Sequence, residues 1–189
     1  MRAHIQKIFS KENWKTLTSD MNFSLTIAII TVSVFLSFQS KFFFSVKNFL
    51  NIGLAGSVTG IMAAGLTLSM IMGAFDLSQY SVATLSSVIA ITAFLSGVPV
   101  WVCLLIALAT GMLCGTFNGI MVTVFKINPI ITTLGTQMVF RSLCYIITGS
   151  KIMNFSHPAL NFLGRGYLLG VPMSVWILLF IYTILSFIV

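Results

Sequence analysis

The chain is 189 residues long, 58% hydrophobic and only 7% charged, with a mean hydropathy of +1.05. A water-soluble domain carries about 25% charged residues, so these residues cannot build a hydrated surface, and lipid is the solvent for most of the chain. The formal net charge is +7, but the lysines and arginines show no basic run and no aromatic-basic interleaving, which excludes a nucleic-acid-binding surface.

Residues 1–21 form a polar tail with Arg2, Lys7, Lys11, Lys15, Glu12 and Asp20. Residues 22–40 are apolar and give a first membrane span, since about 20 such residues cross about 30 Å of hydrocarbon. A basic stretch before an apolar one also describes a secretory signal peptide. The length of the run, the lack of a small-x-small cleavage site at Phe38-Gln39-Ser40-Lys41 and the apolar spans beyond favour an uncleaved helix. Residues 41–49 (KFFFSVKNF) form an aromatic-basic connector suited to the membrane interface.

Residues 50–73 and 77–98 make two further spans around the turn Gly73-Ala74-Phe75-Asp76-Leu77-Ser78. Pro99 opens a fourth span to about Phe125, placed at the helix start where its missing N–H costs nothing. Asn128-Pro129 repeats the device, cap then proline, and opens a fifth span to about Ile147. Residues 148–170 are polar and glycine-rich, and a sixth span starts near Val171. The expected fold is all-α: a polytopic membrane helix bundle of about six segments, with a cytoplasmic tail at 1–21 and a transmembrane domain at 22–189. With the N-terminus inside, five basic loop and tail residues lie inside (the tail four and Lys126) against four outside (Lys41, Lys47, Lys151, Arg165). The positive-inside bias therefore places the N-terminus in the cytoplasm.

Small residues recur every four positions at Gly56, Gly60 and Ala64, at Gly65, Ser69 and Gly73, and at Gly111, Gly115 and Gly119. Such ridges let helix backbones approach closely in lipid, so they read as packing surfaces. Cys103, Cys114 and Cys144 lie in apolar segments without metal spacing and read as small core residues.

Polar groups at membrane depth carry more information, because they are costly there. Asp76 is the one charged residue between Asn48 and Phe125. With Gln79 three residues later, it reads as a helix cap in a capping box. The lack of polar company around the turn suggests that it is short and embedded among helices. Thr133, Gln137 and Arg141 share one face of the fifth helix. Arg141 lies about 18 Å along that helix from Pro129 and about 9 Å from its outer end. Either it snorkels to the interface, or the stripe lines a polar path. Asn118, beside a glycine ridge, has the same two readings.

Absences narrow the chemistry. The sequence holds no GxxxxGK[ST] phosphate loop, no HExxH pair and no GxSxG elbow, and its histidines are His4 and His157 alone. No cofactor or metal is called for, and no span holds a plausible catalytic base besides Asp76. The expectation is a transport component that is not itself an enzyme.

The order of motifs resembles the permease subunits of bacterial ABC importers for ribose, xylose and related sugars, including autoinducer-2 importers. The family's G-G-I-D-L-S-x-G turn is matched by Gly73 through Ser78. Its G-x-x-x-G-x-x-N-G helix is matched by Gly111, Gly115, Asn118 and Gly119. Its N-P-x-I-x-T-L-G-T run and following arginine are matched from Asn128 through Thr136 to Arg141. Tyr145, Thr148 and Gly149, then Leu169-Gly170-Val171-Pro172 before a Trp-containing helix, continue the parallel over about residues 50–180.

The resemblance implies a multi-pass protein of the bacterial inner membrane that forms part of a sugar translocation pathway. It also implies four partners: a cytoplasmic ATPase subunit, an extracytoplasmic sugar-binding protein, a second permease subunit and the lipid bilayer. By the same carry-over, Asp76, Ser78, Gln79, Asn118, Thr133, Gln137 and Arg141 are candidates to shape the pathway or its packing. Two departures stand out. Ala74 and Gln79-Tyr80 make the turn bulkier than the family's, and no G-G-N-x-x-A-A-x-L-S-G coupling run is present. The expectation is a truncated or split permease that does not transport alone. Competing readings are a non-transporting membrane fragment, or an ion-coupled transporter with Asp76 and Arg141 as a relay.

Overall fold

The computed structural model describes residues 21–188, so the expected tail lies outside the described residues except for Met21, which opens the first helix. Within them the chain is a helical membrane protein with seven helices. These are α1 (Met21–Gln39), α2 (Val46–Ile71), α3 (Gln79–Leu95), α4 (Val100–Thr123), α5 (Pro129–Thr148), α6 (Pro158–Arg165) and α7 (Met173–Ile188). Two strands of two residues each, β1 (Tyr167–Leu168) and β2 (Val171–Pro172), pair antiparallel between α6 and α7. Helices α1, α2, α4 and α5 are long and apolar enough to cross a membrane, while α3 and α7 are shorter apolar helices.

The chain divides after residue 52 into two units. In the first, α1 buries no residue, as expected of a helix whose solvent is lipid. The connector after it is fixed by local bonds: Ser45 Oγ donates to the Phe42 carbonyl at 2.7 Å and Asn48 Nδ2 to that of Phe43 at 2.8 Å.

In the second unit, α3, α4 and α5 form the core. Leu85 of α3, Cys114 of α4 and Phe140 and Cys144 of α5 make one buried cluster. All three cysteines are free and buried, as their apolar settings implied. A Cβ on Gly111 would stand 3.7 Å from Ser86 Oγ, and Asn118 reaches Ser78. Helices α3 and α4 therefore run antiparallel. The pairings of Phe75 with Thr133 and of Leu85 with Phe140 make α3 and α5 parallel.

The ridge on α2 packs against α7. A Cβ on Gly60 would fall 2.7 Å from Leu178 Cδ1, one on Gly53 would meet Val175 at 3.5 Å, and Tyr182 Oη donates to the Gly60 carbonyl at 3.3 Å. Close backbone approach of this kind is what small-xxx-small spacing permits. The ridge on α4 behaves differently. Only Gly111 meets another helix, while Gly115 and Gly119 face open space and line a cavity.

Helix ends follow from capping chemistry. Asn128 Oδ1 accepts from the N–H groups of Ile130 (2.9 Å) and Ile131 (3.4 Å), with Pro129 at the first helical position. Gly149 ends α5 in the left-handed region at φ 59°. Pro99 differs from expectation: it is the extended cap residue before α4, at φ −57° and ψ 142°, rather than its first helical residue. Its carbonyl accepts from Val102 and Cys103, and a cap position also needs no N–H. The β1–β2 turn places Leu169 (φ 54°) and Gly170 (φ 79°) in the left-handed region. Trp176 Nε1, donating to the Leu168 carbonyl at 3.1 Å, ties this hairpin to α7.

Candidate functional site

The site is built around the break between α2 and α3. Helix α2 stops at Ile71 and α3 starts at Gln79, so residues 72–78 are non-helical. The break lies inside the bundle. It contacts Thr133, four residues into α5 (about 6 Å of rise), and Asn118, five residues before the end of α4 (about 7.5 Å). Non-helical backbone at membrane depth is tolerated where it is buried in protein or lines a cavity, and here both hold. The embedding also explains why α3 needs only 17 residues: the extended segment covers the remaining depth.

Four sequence-predicted residues meet at the break. Asp76 Oδ1 accepts from the Ser78 N–H at 2.8 Å and from the Ser78 hydroxyl at 2.7 Å. Asn118 Nδ2 donates to Ser78 Oγ at 2.8 Å. Thr133 Oγ1 lies 3.3 Å from the Phe75 carbonyl, although its one proton has a nearer acceptor in the Pro129 carbonyl of its own helix at 2.9 Å. Ser78 is 0% exposed, Thr133 3% and Asn118 6%. The order of donors is set by chemistry. An ionised carboxylate only accepts, so the Ser78 proton points to Asp76 and its oxygen lone pair faces Asn118. The Asn118 amide must then present its NH₂ to Ser78, and its Oδ1 is left buried without a donor. One carboxylate thus orients a chain of three side chains on two elements.

The capping box is not formed. Asp76 lies three residues before α3 and closes an Asx turn onto residue 78. Gln79 is the first residue of α3, not the third, and its side chain lies over Gly65 of α2, where a Cβ would stand 3.4 Å from Nε2. Gly65 therefore makes room for Gln79 at the α2–α3 contact. The carboxylate sits just before the α3 N-terminus, where the helix dipole favours negative charge. With two hydrogen bonds and that field, Asp76 needs no cation partner, and no ion pair occurs among the described residues.

Two cavities flank this knot. The first, about 420 Å³, is lined by Ser69, Gly73, Asp76, Asn118, Thr123 and Thr133, with Gly115 and Gly119 in its wall. The second, about 310 Å³, is lined by Tyr80, Ser81, Thr84, Gln137, Arg141, Cys144 and Tyr145. The boundary falls between Asp76 and Tyr80 on one segment and between Thr133 and Gln137 on α5, where Ser78 is fully buried. The polar stripe of α5 thus serves both cavities, Thr133 in the first and Gln137 with Arg141 in the second. Arg141 turns toward the α5 C-terminus, donating from Nε and Nη2 to Tyr145 Oη at 3.4 and 3.3 Å.

The residues not singled out beforehand are Thr123, Ser81 and Thr84, while Tyr80 was noted only for the bulk it gives the turn. Thr123 lies four residues after Gly119, which was the signal that places it on the cavity wall. Ser81 and Thr84 carried no signal apart from their hydroxyls. No group of three or more His, Cys, Asp or Glu side chains is placed to hold a metal among the described residues.

Comparison with known proteins bears on this arrangement. The family model described as the permease component of branched-chain amino acid transport systems matches residues 48–189. The chain is 32% identical over 162 residues to the ribose import permease protein of Haemophilus influenzae, covering 84% of this chain and 50% of that protein. It is 30% identical over 171 residues to the fructose import permease protein of Bifidobacterium longum, covering 84% and 48%. With an autoinducer 2 import system permease protein of Yersinia pestis it shares 31% over 151 residues, covering 80% and 43%. The chain thus spans half or less of the length of the curated relatives it matches. No solved structure matches it significantly. Break, cavities and motif order all lie within residues 48–189, and over those residues the chain belongs to this family of transport-system permease components.

Proposed function

We propose that this chain is a transmembrane permease subunit of an ATP-driven sugar importer of the bacterial inner membrane and forms part of the solute pathway. The observation that carries the reading is one polar helix face, Thr133–Gln137–Arg141, that serves two cavities separated by a buried hydrogen-bonded knot. Helix breaks embedded in protein are a common way to place polar groups along a solute pathway. In alternating access, opening one side while the other stays shut requires a constriction of this kind.

The relatives named for ribose, fructose and autoinducer 2 import support a sugar-like solute. The chain carries no phosphate loop, so ATP hydrolysis falls to a separate cytoplasmic ATPase subunit. An extracytoplasmic binding protein would deliver the sugar, and a second permease subunit would complete the pathway. A proton or ion relay from Asp76 to Arg141 is disfavoured, because the two line different cavities and Arg141 is bonded to Tyr145.

The test is reconstitution. The chain is placed in proteoliposomes with a candidate ATPase subunit and sugar-binding protein from the same cell, and with a second permease subunit. Uptake of a labelled pentose is expected to require ATP and to survive ionophores. Uptake driven by an ion gradient without ATP refutes the reading.

A further inference from the structure

A recess of about 500 Å³ lies away from the break, between the loop after α5 and helix α6. Its polar lining is Asn154, Ser156, Asn161 and Arg165. Helix α5 is long and apolar enough to cross a membrane and α7 is apolar, so residues 149–172 between them lie at a membrane boundary. Local contacts fix the recess. Phe155 packs edge-on against Phe94 near the end of α3, with ring centroids 4.6 Å apart, and Leu160 lines the same apolar gap beside α3 and α4. Asn161 Nδ2 donates to Ser156 Oγ at 3.0 Å, which ties α6 to the loop. The charge in the recess is unanswered. Arg165 stands in the last turn of α6, where the helix dipole favours a cation. Yet its guanidinium, with five N–H donors, makes no hydrogen bond or ion pair with any described residue, and the Asn154 side chain makes none either. Asp76 is the one acidic side chain among the described residues, and the length of α3, about 25 Å, separates it from this end of the bundle.

We propose that this recess binds the headgroup of an anionic phospholipid, with the phosphodiester on Arg165 and Asn154 and a hydroxylated head, such as the glycerol of phosphatidylglycerol, at Asn161 and Ser156. The site stands apart from the solute pathway and rests on the membrane fold alone, so the inference goes beyond the permease reading. A guanidinium matches the oxygens of a phosphate in geometry as well as charge. An amide both donates and accepts, so it suits a head that carries hydroxyls. A choline head instead brings a quaternary ammonium into a recess that holds a cation and no carboxylate. Asn161 and Arg165, four residues apart, share one face of α6, and Ala159 and Leu163 share the opposite one. A short amphipathic helix of this kind suits the plane of the interface, polar face to the headgroups and apolar face to the acyl chains. Ile152 is 91% exposed and Phe162 46%, which adds apolar surface next to the lining residues. That surface favours a lipid over the rival occupant, an acidic patch on a soluble partner protein.

Native mass spectrometry tests this on the purified full chain in detergent, with equimolar phosphatidylglycerol and phosphatidylcholine of the same acyl chains. The first lipid bound is expected to be phosphatidylglycerol, by at least about fivefold, the scale of one basic residue at a charged headgroup. Arg165→Gln should bring that preference close to parity, Asn154→Leu should lower it, and Arg165→Lys should keep part of it. Neither side chain is bonded within the protein, so these variants should unfold at the wild-type temperature. Lys47→Gln removes an exposed cation of the α1–α2 connector, outside the recess, and should leave the preference unchanged. A preference that survives Arg165→Gln overturns the proposal. So does one that Lys47→Gln lowers as much, since retention is then general surface charge. Inorganic phosphate that displaces the lipid at equal concentration makes this a site for soluble phosphate and overturns the lipid assignment. If Arg165→Gln spares the lipid preference but weakens co-purification of the sugar-binding protein, the recess belongs to a partner protein and the proposal falls. None of these outcomes bears on ATP-driven uptake, by which the permease reading is judged.

Discussion

Ser78 is the residue on which the knot depends, because it is the only member bonded to both others. Its N–H and hydroxyl satisfy Asp76, and its oxygen satisfies Asn118. Ser78→Ala removes the hydroxyl, leaving the buried Asn118 amide without its acceptor and Asp76 with the residue-78 N–H alone, so a loss of about 1–3 kcal/mol is expected. Thermal unfolding in detergent measures it, and Ser78→Thr should recover part of the loss where the extra methyl fits. Arg141 differs, since it is exposed and its guanidinium is held by Tyr145. Arg141→Gln should leave the unfolding temperature near the wild-type value while lowering uptake in the reconstituted system; unchanged uptake would remove Arg141 from the pathway. Motif order made Asp76, Ser78, Asn118 and Thr133 candidates, along with Gln79, Gln137 and Arg141, but it did not show that these four come together at the break. How they bond was not legible either. Asp76 and Gln79 have capping-box spacing, but the helix begins at Gln79, and a start displaced by two residues turns a cap into an Asx turn. Periodicity does not fix helix ends to that precision.

Two elements show where local chemistry does settle the boundaries. Asn128 caps α5 with its side chain, and Asn128→Ala is expected to cost about 1 kcal/mol. That loss should appear as faster amide exchange over residues 130–132 before it appears in global unfolding. The hairpin between β1 and β2 makes the opposite prediction. Leu169 holds φ at 54° with its side chain 85% exposed, a conformation that disfavours a bulky side chain. Leu169→Asn should therefore stabilise the protein by up to about 1 kcal/mol, read as a higher unfolding temperature. The cap of α5 was legible because Asn-Pro is a strong local signal. The short extent of α3 was not, because hydropathy reports how long an apolar run is and not where its backbone leaves the helix. The glycine ridges were read alike, yet one packs α2 on α7 while the other opens a cavity beside α4. Small residues at a spacing of four permit approach, and a neighbouring helix decides whether it happens.

At the scale of the whole molecule, the arrangement of Lys and Arg bears on orientation, and the margin is narrow. With the N-terminus cytoplasmic and six crossings, the inner side holds Arg2, Lys7, Lys11, Lys15 and Lys126, and the outer side Lys41, Lys47, Lys151 and Arg165. The tail alone breaks the balance, and the first span usually dominates insertion. The embedded break suits this arrangement, since it lets a 17-residue α3 serve as a crossing segment. Asp76 and Thr133 would then lie toward the cytoplasm and Arg141 toward the outer face. Lys11→Gln with Lys15→Gln leaves three basic residues inside against four outside, and this double variant should insert in both orientations. A reporter fused to the N-terminus, active on one side of the membrane only, reads the result directly. A uniformly cytoplasmic signal in wild type and a divided one in the variant are expected. An N-terminus found outside in the wild type would reverse the two vestibules, putting the Asp76 cavity on the side that receives solute and Arg141 on the side that releases it.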